Sequence, residues 1–413
     1  MFVGRVAELE TLESHLLQAR ARQPVNFMLT GERGIGKTSL LDYITNVARG
    51  LIALGGERLS FLVIETDIDP RVNQLALVKK IELGLRRELG KTEKARSFLA
   101  DTWKFLQRME AAGVALKEKR PADADVIVEE FAYSLADTIN RVSSASAEDL
   151  FSAKFDGLII LIDEADNGSA DLNLGSFLKL LTERLQRNDC ETVIIGLAGL
   201  PELRQVLVNS HPSSLRIFDE VQLGRLSTEE VNSVIDFGIR KANEVNEEKT
   251  TIEDTAKETL VALAEGYPHF IQQFGYCAFA ADTDCKIDRN DVLDGVFGRR
   301  GGLEIIGDRY YRNDFYNKVQ KESYRQVLRI MAQKADGWVT KAEIKKMFQG
   351  KESTLDNAIH ALRDRHIILP REGYRGVYRL QHRGFAMWIN LYTSSEAKLA
   401  SAETTRTKTD APL

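Results

Sequence analysis

One segment constrains the fold of this chain more than any other: a glycine-rich stretch between an apolar run and an amphipathic one. The segment Gly31-Glu32-Arg33-Gly34-Ile35-Gly36-Lys37-Thr38 has the pattern G-x-x-x-x-G-K-[ST], with apolar residues before it and helical spacing after it. Glycines let successive backbone N–H groups turn inward as an anion nest, and the following helix adds its positive amino end. The sequence therefore predicts a phosphate-binding loop rather than an ordinary glycine-rich turn.

The residue types in this loop specify the ligand. A lysine at this position places its charge on the β- and γ-phosphates of ATP, and the next hydroxyl binds Mg²⁺. We therefore expect Lys37 to act in catalysis and Thr38 to bind the metal ion. The predicted nucleotide contacts are Gly31, Glu32, Arg33, Gly34, Ile35, Gly36, Lys37, Thr38 and Ser39.

A second motif lies where another apolar run ends in acids. Residues 158–162 are all Leu or Ile, and Asp163 and Glu164 follow directly. In ATPases with such a loop, this aspartate orients the Mg²⁺ shell and the glutamate activates the attacking water. The alternative is that Asp163 only caps a following helix. Together with the loop, the pair predicts Asp163 as a metal ligand and both acids as catalytic.

Composition sets the class of protein. The 413 residues include 43% hydrophobic and 28% charged residues, which is ordinary for a soluble globular chain of two or three domains. The net charge of −5 by itself indicates no nucleic-acid partner. Three scattered cysteines indicate free thiols, and neither a run of about 18 apolar residues nor a signal peptide is evident. We expect a cytoplasmic protein without membrane contact.

Apolar runs that alternate with helical patterns indicate an α/β fold with a parallel sheet covered on both faces. Five strands are predicted, at 25–30, 59–64, 158–162, 193–197 and 220–223. Residues 6–21 are predicted to form a helix with Leu9, Leu12, Leu16 and Leu17 on one face. Residues 90–150 have the pattern of a helical insertion of unknown role.

The remainder is predicted to form two further domains. Residues 1–226 would be the ATPase domain, 227–300 a helical lid, 301–393 a third domain and 394–413 a disordered tail. Ser227 and Glu230 have the spacing of a capping box at the start of the lid. Three helices followed by a hairpin over 319–380 are the layout of a winged helix-turn-helix.

These motifs together resemble a known family. Phe2-Val3-Gly4-Arg5 with Glu8-Leu9 looks like the amino-terminal box of AAA+ ATPases of the origin-recognition and initiator type, and STAND-type switch ATPases have similar boxes. The phosphate loop, the acidic strand end and the segment Gly-Leu-Ala-Gly-Leu-Pro-Glu-Leu at 196–203 follow one another in an order that resembles that of this clade. Gly266-Tyr267-Pro268-His269 resembles its Gly-x-Pro lid motif. The likeness covers most of residues 1–393 except the insertion.

The resemblance implies a five-stranded sheet in the order 5-1-4-3-2 with ATP between the sheet and the lid. It adds nucleotide contacts from Val3, Gly4, Arg5, Pro268 and His269. It also places an arginine finger near Arg216, which would reach the nucleotide of another subunit. The alternatives are a surface role for Arg216 and simple packing for His269. The usual polar sensor after the fourth strand falls in Leu197-Ala198-Gly199, so slow turnover is expected.

Charge distinguishes the terminal region from the rest of the chain. Residues 318–393 carry 15 Lys+Arg against 7 Asp+Glu, a net charge of +8 within a chain of −5. Concentrated cations are what binding to a DNA backbone requires. The predicted DNA contacts are Lys345, Lys346, Arg363, Arg375 and Arg379. Asp356 and Asp364 oppose this interpretation, and such domains also serve in protein contacts.

Two functions follow from these features. The first is an ATP-driven DNA-binding switch in replication, transposition or defence against mobile DNA. The second is a STAND-like signalling ATPase that oligomerises with nucleotide and recruits a separate effector protein. The first predicts DNA binding that changes with nucleotide, and the second predicts assemblies without DNA. A homo-oligomer or a partner ATPase is compatible with both.

Overall fold

The computed structural model describes residues 4–111, 121–334, 337–371 and 373–393. The chain divides into two compact units, Met1–Gly224 and Arg225–Leu413. The boundary that we expect near residue 300, between lid and third domain, stays a prediction. The predicted tail 394–413 lies outside the described residues. None of the helices within the described ranges combines the length and the apolar character that crossing a bilayer requires.

The first unit is built on a five-stranded parallel sheet, as predicted. Its strands are β1 Asn26–Gly31, β2 Phe61–Asp67, β3 Gly157–Asp163, β4 Val193–Gly199 and β5 Phe218–Leu223. Their order is β2-β3-β4-β1-β5, which is the expected 5-1-4-3-2 taken from the other edge. Because β1, β3 and β4 are covered on both faces, they are buried along almost their whole length.

Helices cover both faces of this sheet. They are α1 Val6–Arg20, α2 Lys37–Ala48, α3 Gln74–Leu89, α4 Glu93–Thr102, α5 Lys104–Ala111, α6 Pro121–Val142, α7 Ala147–Phe151, α8 Leu174–Arg187 and α9 Leu203–Ser210. The predicted apolar face of α1 is partly wrong. Leu12 and Leu16 are buried, but Leu17 is 41% exposed and His15 is buried instead. Leu17 directly follows Leu16, so it points about 100° away around the helix.

The predicted helical insertion is a layer of the core. The segment from α4 to α7 contributes fully buried side chains such as Trp103, between α4 and α5, and Phe131, and these pack in the same apolar cluster as the sheet. The Trp103 Nε1–H group donates to Thr138 Oγ1 at 3.1 Å, so the indole is satisfied inside that layer. This region therefore stabilises the sheet from the α8 side.

The second unit begins with helices that the sequence predicts well. They are α10 Thr228–Val245, α11 Asp254–Ala264, α12 Pro268–Ala281 and α13 Arg289–Phe297, with a short parallel pair of β6 Thr251–Ile252 and β7 Lys286–Ile287. The capping box is confirmed: Glu230 N–H donates to Ser227 Oγ at 3.2 Å, and Ser227 N–H donates to Glu230 Oε2 at 2.8 Å. The two-residue strands are too short to show alternation in the sequence.

The last part of this unit combines helices with a small antiparallel sheet. Its elements are α14 Gly302–Ile306, α15 Glu322–Ala332, β8 Val339–Thr340, α16 Lys341–Met347, α17 Glu352–Asp364, β9 Ile368–Pro370, β10 Val377–Leu380 and α18 Arg383–Trp388. The predicted helices and hairpin are present. The third strand, β8, pairs with β10 to complete the order β8-β10-β9.

Candidate nucleotide site

The phosphate loop connects β1 to α2 at the carboxyl end of the sheet. Gly34 and Gly36 have φ angles of 78° and 102°, a backbone conformation that side chains other than glycine rarely adopt. Gly36 is also the residue that precedes the first turn of α2. At Gly31, an added Cβ would lie 2.9 Å from the carbonyl oxygen of Leu223 on β5. The loop therefore needs its three glycines for conformation and for space.

The Lys37 ammonium is held by carbonyl oxygens of its own loop. Its Nζ donates to the carbonyl oxygens of Gly31 at 2.8 Å and of Glu32 at 3.1 Å. Burial lowers the pKa of the Lys37 ammonium, and the carboxylates of Asp163 and Asp166 act in the opposite direction. A half-buried ammonium held by carbonyl oxygens is stabilised further by an anion, because the anion offsets the desolvation of the charge. This side chain thus fits a phosphate ligand.

A pair of oxygens beside Lys37 fits a magnesium ion. The Thr38 hydroxyl donates to Asp163 Oδ2 at 2.8 Å, which brings together the two predicted metal ligands. The other oxygen, Oδ1, accepts the backbone N–H of Glu164 at 2.8 Å. Magnesium uses one or two protein oxygens and takes its other ligands from water and phosphates. The described residues hold no larger His, Cys, Asp or Glu cluster for a metal.

Glu164 follows Asp163 in a strained conformation. It has a φ angle of 51°, and strain of this kind concentrates at functional sites. Its side chain is exposed beyond the end of β3. The Asn167 Nδ2 group lies 3.5 Å from Glu164 Oε2 and donates to the Ile68 carbonyl at 3.3 Å. Sequence reasoning missed Asn167, and only its place three residues after the glutamate hints at this contact.

Arg5, in the amino-terminal box, hydrogen-bonds to the phosphate loop. Arg5, with a φ angle of 58°, is 4% exposed. Its guanidinium donates to the carbonyl oxygens of Ile35 at 2.9 Å and Gly224 at 2.7 Å, and to Glu8 at 3.2 Å. Gly4 has a φ angle of 81°, and Val3 lies outside the described residues. Arg5 therefore fastens the phosphate loop, while the predicted nucleotide contacts of Val3, Gly4 and Arg5 stay predictions.

The end of β4 lacks a side chain where a polar sensor is usual. Gly199 ends the strand, and an added Cβ would lie 2.7 Å from Asp166 Oδ1. That oxygen accepts the Leu200 N–H at 2.9 Å. Nearby, the Thr30 hydroxyl donates to Glu220 at 3.0 Å, and Glu220 is ion-paired with Arg204. Carboxylates therefore surround this end of the sheet.

The remaining predicted nucleotide residues lie elsewhere. Arg216 is exposed in a short helical turn at 214–217, just before β5. In the second unit, Pro268 and His269 begin α12. His269 Nε2 is buried without a hydrogen-bond partner among the described residues, and burial, then Arg309, lowers its pKa. The proposed roles of Arg216, Pro268 and His269 stay predictions, and so do those of the exposed Glu32, Arg33 and Ser39.

The predicted DNA residues differ in their surroundings. Lys345 is ion-paired with Glu352 at 2.7 Å, and Arg363 lies 3.7 Å from Asp364. Lys346 and Arg375 are exposed. Arg379 lies 5.1 Å from the Trp338 ring centroid in a cation–π contact. The five predicted cations therefore have different surroundings: two lie close to carboxylates, two are exposed, and one contacts an aromatic ring.

Comparison with known proteins finds one family model, which matches most of the first unit. Residues 1–195 match the model of the AAA ATPase domain. No curated protein matches the sequence significantly.

Two solved structures share the fold over nearly the whole chain. The Walker-type ATPase PABY2304 of Pyrococcus abyssi is 17% identical with a TM-score of 0.56, covering 94% of this chain and 96% of its own. The Aeropyrum pernix ORC2 protein, in ADPNP and ADP complexes, is 13% identical with a TM-score of 0.54, covering 96% of each chain. Residues 1–195 are therefore similar to an AAA ATPase domain, and the chain shares the fold of these two solved structures.

Proposed function

We propose that this protein binds ATP with Mg²⁺, hydrolyses it slowly, and couples the nucleotide state to DNA binding by its second unit. The observation that supports the ATPase part best is the contact of Thr38 with Asp163 beside Lys37 and Glu164. These residues come from the loop after β1 and from the end of β3, which the parallel sheet places at one edge. The ATP analogue complex of the Aeropyrum pernix ORC2 protein is consistent with the same ligand class.

Each of these residues has a distinct task. Lys37 neutralises the β- and γ-phosphates, and the loop N–H groups bind the phosphate oxygens. Thr38 and Asp163 would hold Mg²⁺, which supplies charge neutralisation at the transferred phosphoryl group when bound. Glu164 is exposed at the strand end, where it can orient a water molecule and accept its proton.

Slow turnover is inferred from the end of β4. Gly199 offers no side chain to the γ-phosphate, and the neighbouring Asp166 presents a carboxylate oxygen instead of a hydrogen-bond donor. An anionic group at that position does not stabilise the negative charge that develops in phosphoryl transfer. A protein that keeps ATP bound for long periods suits a switch better than a motor.

DNA binding is inferred from the layout and charge of the second unit. Helices α15, α16 and α17 followed by the β9–β10 hairpin have the arrangement of a winged helix, and residues 318–393 carry the net charge of +8. A localised excess of Lys and Arg within an acidic chain is the electrostatic signature of a nucleic-acid contact. Replication, transposition and defence against mobile DNA are the processes that this combination suits.

Steady-state ATP hydrolysis by the full chain, with and without DNA, tests this proposal. We expect DNA to stimulate hydrolysis, and both Lys37→Ala and Glu164→Gln to abolish it. Lys37→Ala should also abolish ATP binding, whereas Glu164→Gln should retain it.

The opposite outcomes are equally informative. ATP binding without turnover, with or without DNA, would contradict the hydrolytic part. If nucleotide instead drives large assemblies with no effect of DNA, the protein acts as a STAND-like scaffold for an effector protein.

A further inference from the structure

The helices of the terminal region present a surface whose charges are largely neutralised. Residues 341–364, which span α16 and α17, contain five Lys or Arg and four Asp or Glu. Lys341 is ion-paired with Asp356, and Lys345 with Glu352. Fixed carboxylates beside the cations weaken the attraction of a phosphate backbone, even though each exposed pair adds little stability.

The hairpin has a different composition. Residues 366–383 contain four arginines and one acid. Within the described residues, Arg371, Arg375 and Arg379 have no ion pair with a carboxylate. Because side chains alternate along a strand, Arg379 lies on the face of the sheet opposite to the buried Leu380. The hairpin therefore carries a cationic outer face.

Aromatic rings are interleaved with these arginines. The Arg371 guanidinium lies 4.2 Å from the Tyr374 ring centroid and 5.7 Å from that of Trp338, while Arg379 lies 5.1 Å from Trp338. Tyr374 is 58% exposed, and Trp338 is partly exposed. We call Trp338, Arg371, Tyr374 and Arg379 the stacking face. Aromatic rings and guanidinium planes are the groups on which unpaired bases stack.

A polar cavity adjoins this face within the second unit. It has a volume of about 220 Å³, several times the ~30 Å³ share of one water molecule, so a ring-sized group fits. Its lining residues are Glu265, Lys334, Gly337, Trp338, Arg379, Leu380, Gln381 and Arg383. Glu265, the acid in the lining, is ion-paired with Arg225 at 2.9 Å and accepts the Arg383 N–H at 2.5 Å.

One donor in this cavity wall lacks an acceptor. The Nε of Arg379 is buried and has no hydrogen-bond partner among the described residues. A buried donor without a partner is costly, and an acceptor from a ligand removes that cost. The cavity wall therefore combines an aromatic ring with cations, and one of these cations, Arg379, carries a buried donor without a partner among the described residues.

We propose that the stacking face and its cavity bind an unpaired nucleotide of single-stranded DNA. The inference rests on the proposed function, since it requires that the second unit contacts DNA. It narrows the predicted interface, because the contact then lies on the hairpin and not on α16 or α17. Duplex DNA keeps its bases stacked on one another, so only an unpaired segment offers a base to Trp338.

The test compares binding of one fluorescein-labelled oligonucleotide, single-stranded and fully paired, to the full chain with ATP. We expect the single strand to bind more tightly. Trp338→Leu should weaken single-strand binding about ten-fold or more, and Trp338→Phe should retain most of the affinity because the ring is kept. Arg379→Gln should weaken it as well, and Lys345→Glu, the matched control on α16, should have a smaller effect.

Each outcome decides between the proposals. Equal affinity for both DNA forms, or a single-strand preference that Trp338→Leu and Arg379→Gln leave unchanged, overturns the stacking face while DNA binding stands. Absence of binding to either DNA form overturns DNA binding itself. If Trp338→Leu unfolds in a thermal melt, Trp338→Phe together with Arg379→Gln gives the answer.

Discussion

The phosphate loop and the terminal hairpin both hold cations close to specific partners, but the kinds of partner differ. Lys37 is held by the carbonyl oxygens of its own loop and interacts electrostatically with the carboxylate of Asp163 at the end of β3. Arg371 and Arg379 lie instead against aromatic rings. The first arrangement is fixed by a short continuous motif, whereas the second depends on side chains brought together from separate strands. Local motifs therefore identify a site more securely than regional charge does.

The largest effect that this comparison predicts concerns the metal ligands. Asp163→Asn should lower ATP hydrolysis at least 100-fold and abolish the dependence of ATP affinity on Mg²⁺, because it removes the anionic oxygen beside Thr38. Nucleotide affinity measured without Mg²⁺ should change little. Titration of a fluorescent ATP analogue with and without Mg²⁺ separates the two effects. Unaltered Mg²⁺ dependence in the variant would remove Asp163 from the metal site.

The second largest predicted effect concerns Arg5, which hydrogen-bonds to the phosphate loop. Arg5→Ala should lower the free energy of unfolding by about 2–4 kcal/mol, because it leaves the Ile35 and Gly224 carbonyl oxygens without their donor. Urea denaturation measures this change. Arg33→Ala, on the exposed side of the same loop, is the control and should stay within about 0.5 kcal/mol. Equal effects of the two substitutions would show that Arg5 does not brace the loop.

A pH effect should distinguish the two units. Burial, then Arg225 and Arg379, lowers the pKa of His382 in the second unit to about 3. The unfolded chain takes up this proton near pH 6.5 and the folded protein does not, so acid favours unfolding. Stability should fall by up to about 1.4 kcal/mol per pH unit between about 6.5 and 3.

His382→Gln should remove that part of the slope, and thermal melts at several pH values measure it. In the first unit, burial also lowers the pKa of His15, but Asp219 acts in the opposite direction. We therefore expect His15→Gln to change the slope less. A larger effect of His15→Gln would reverse the comparison.

The smallest predicted effect separates the helix cations from the hairpin cations. Arg375→Glu should weaken DNA binding several-fold and lower the slope of log affinity against log salt by about 1, as expected for one lost phosphate contact. Lys345→Glu should do less, because Lys345 is already paired with Glu352. Fluorescence anisotropy over a range of salt concentrations measures both slopes. If neither variant changes DNA affinity, neither Arg375 nor Lys345 contacts the DNA backbone.

Much of the first unit could be predicted because its signals are local or topological. Continuous apolar runs identified five strands, and parallel pairing then placed Thr38 beside Asp163. Strand ends were less certain, since β2 continues from Ile64 to Asp67 through polar residues. Asn167 and the bracing role of Arg5 could not be recognised, because these side chains donate to backbone carbonyl oxygens far away in the chain.

The sequence by itself determined the phosphate loop, the acidic strand end, the alternation of strands and helices, and the basic character of the terminal region. These properties depend on residue types at short spacing, which a linear pattern records. Only the tertiary structure decided that Arg5 fastens the loop, that Lys345 is neutralised by Glu352, and that Trp338 contacts both Arg371 and Arg379. Such contacts arise from the packing of distant segments, and the energy of a charge depends on the groups that surround it in space.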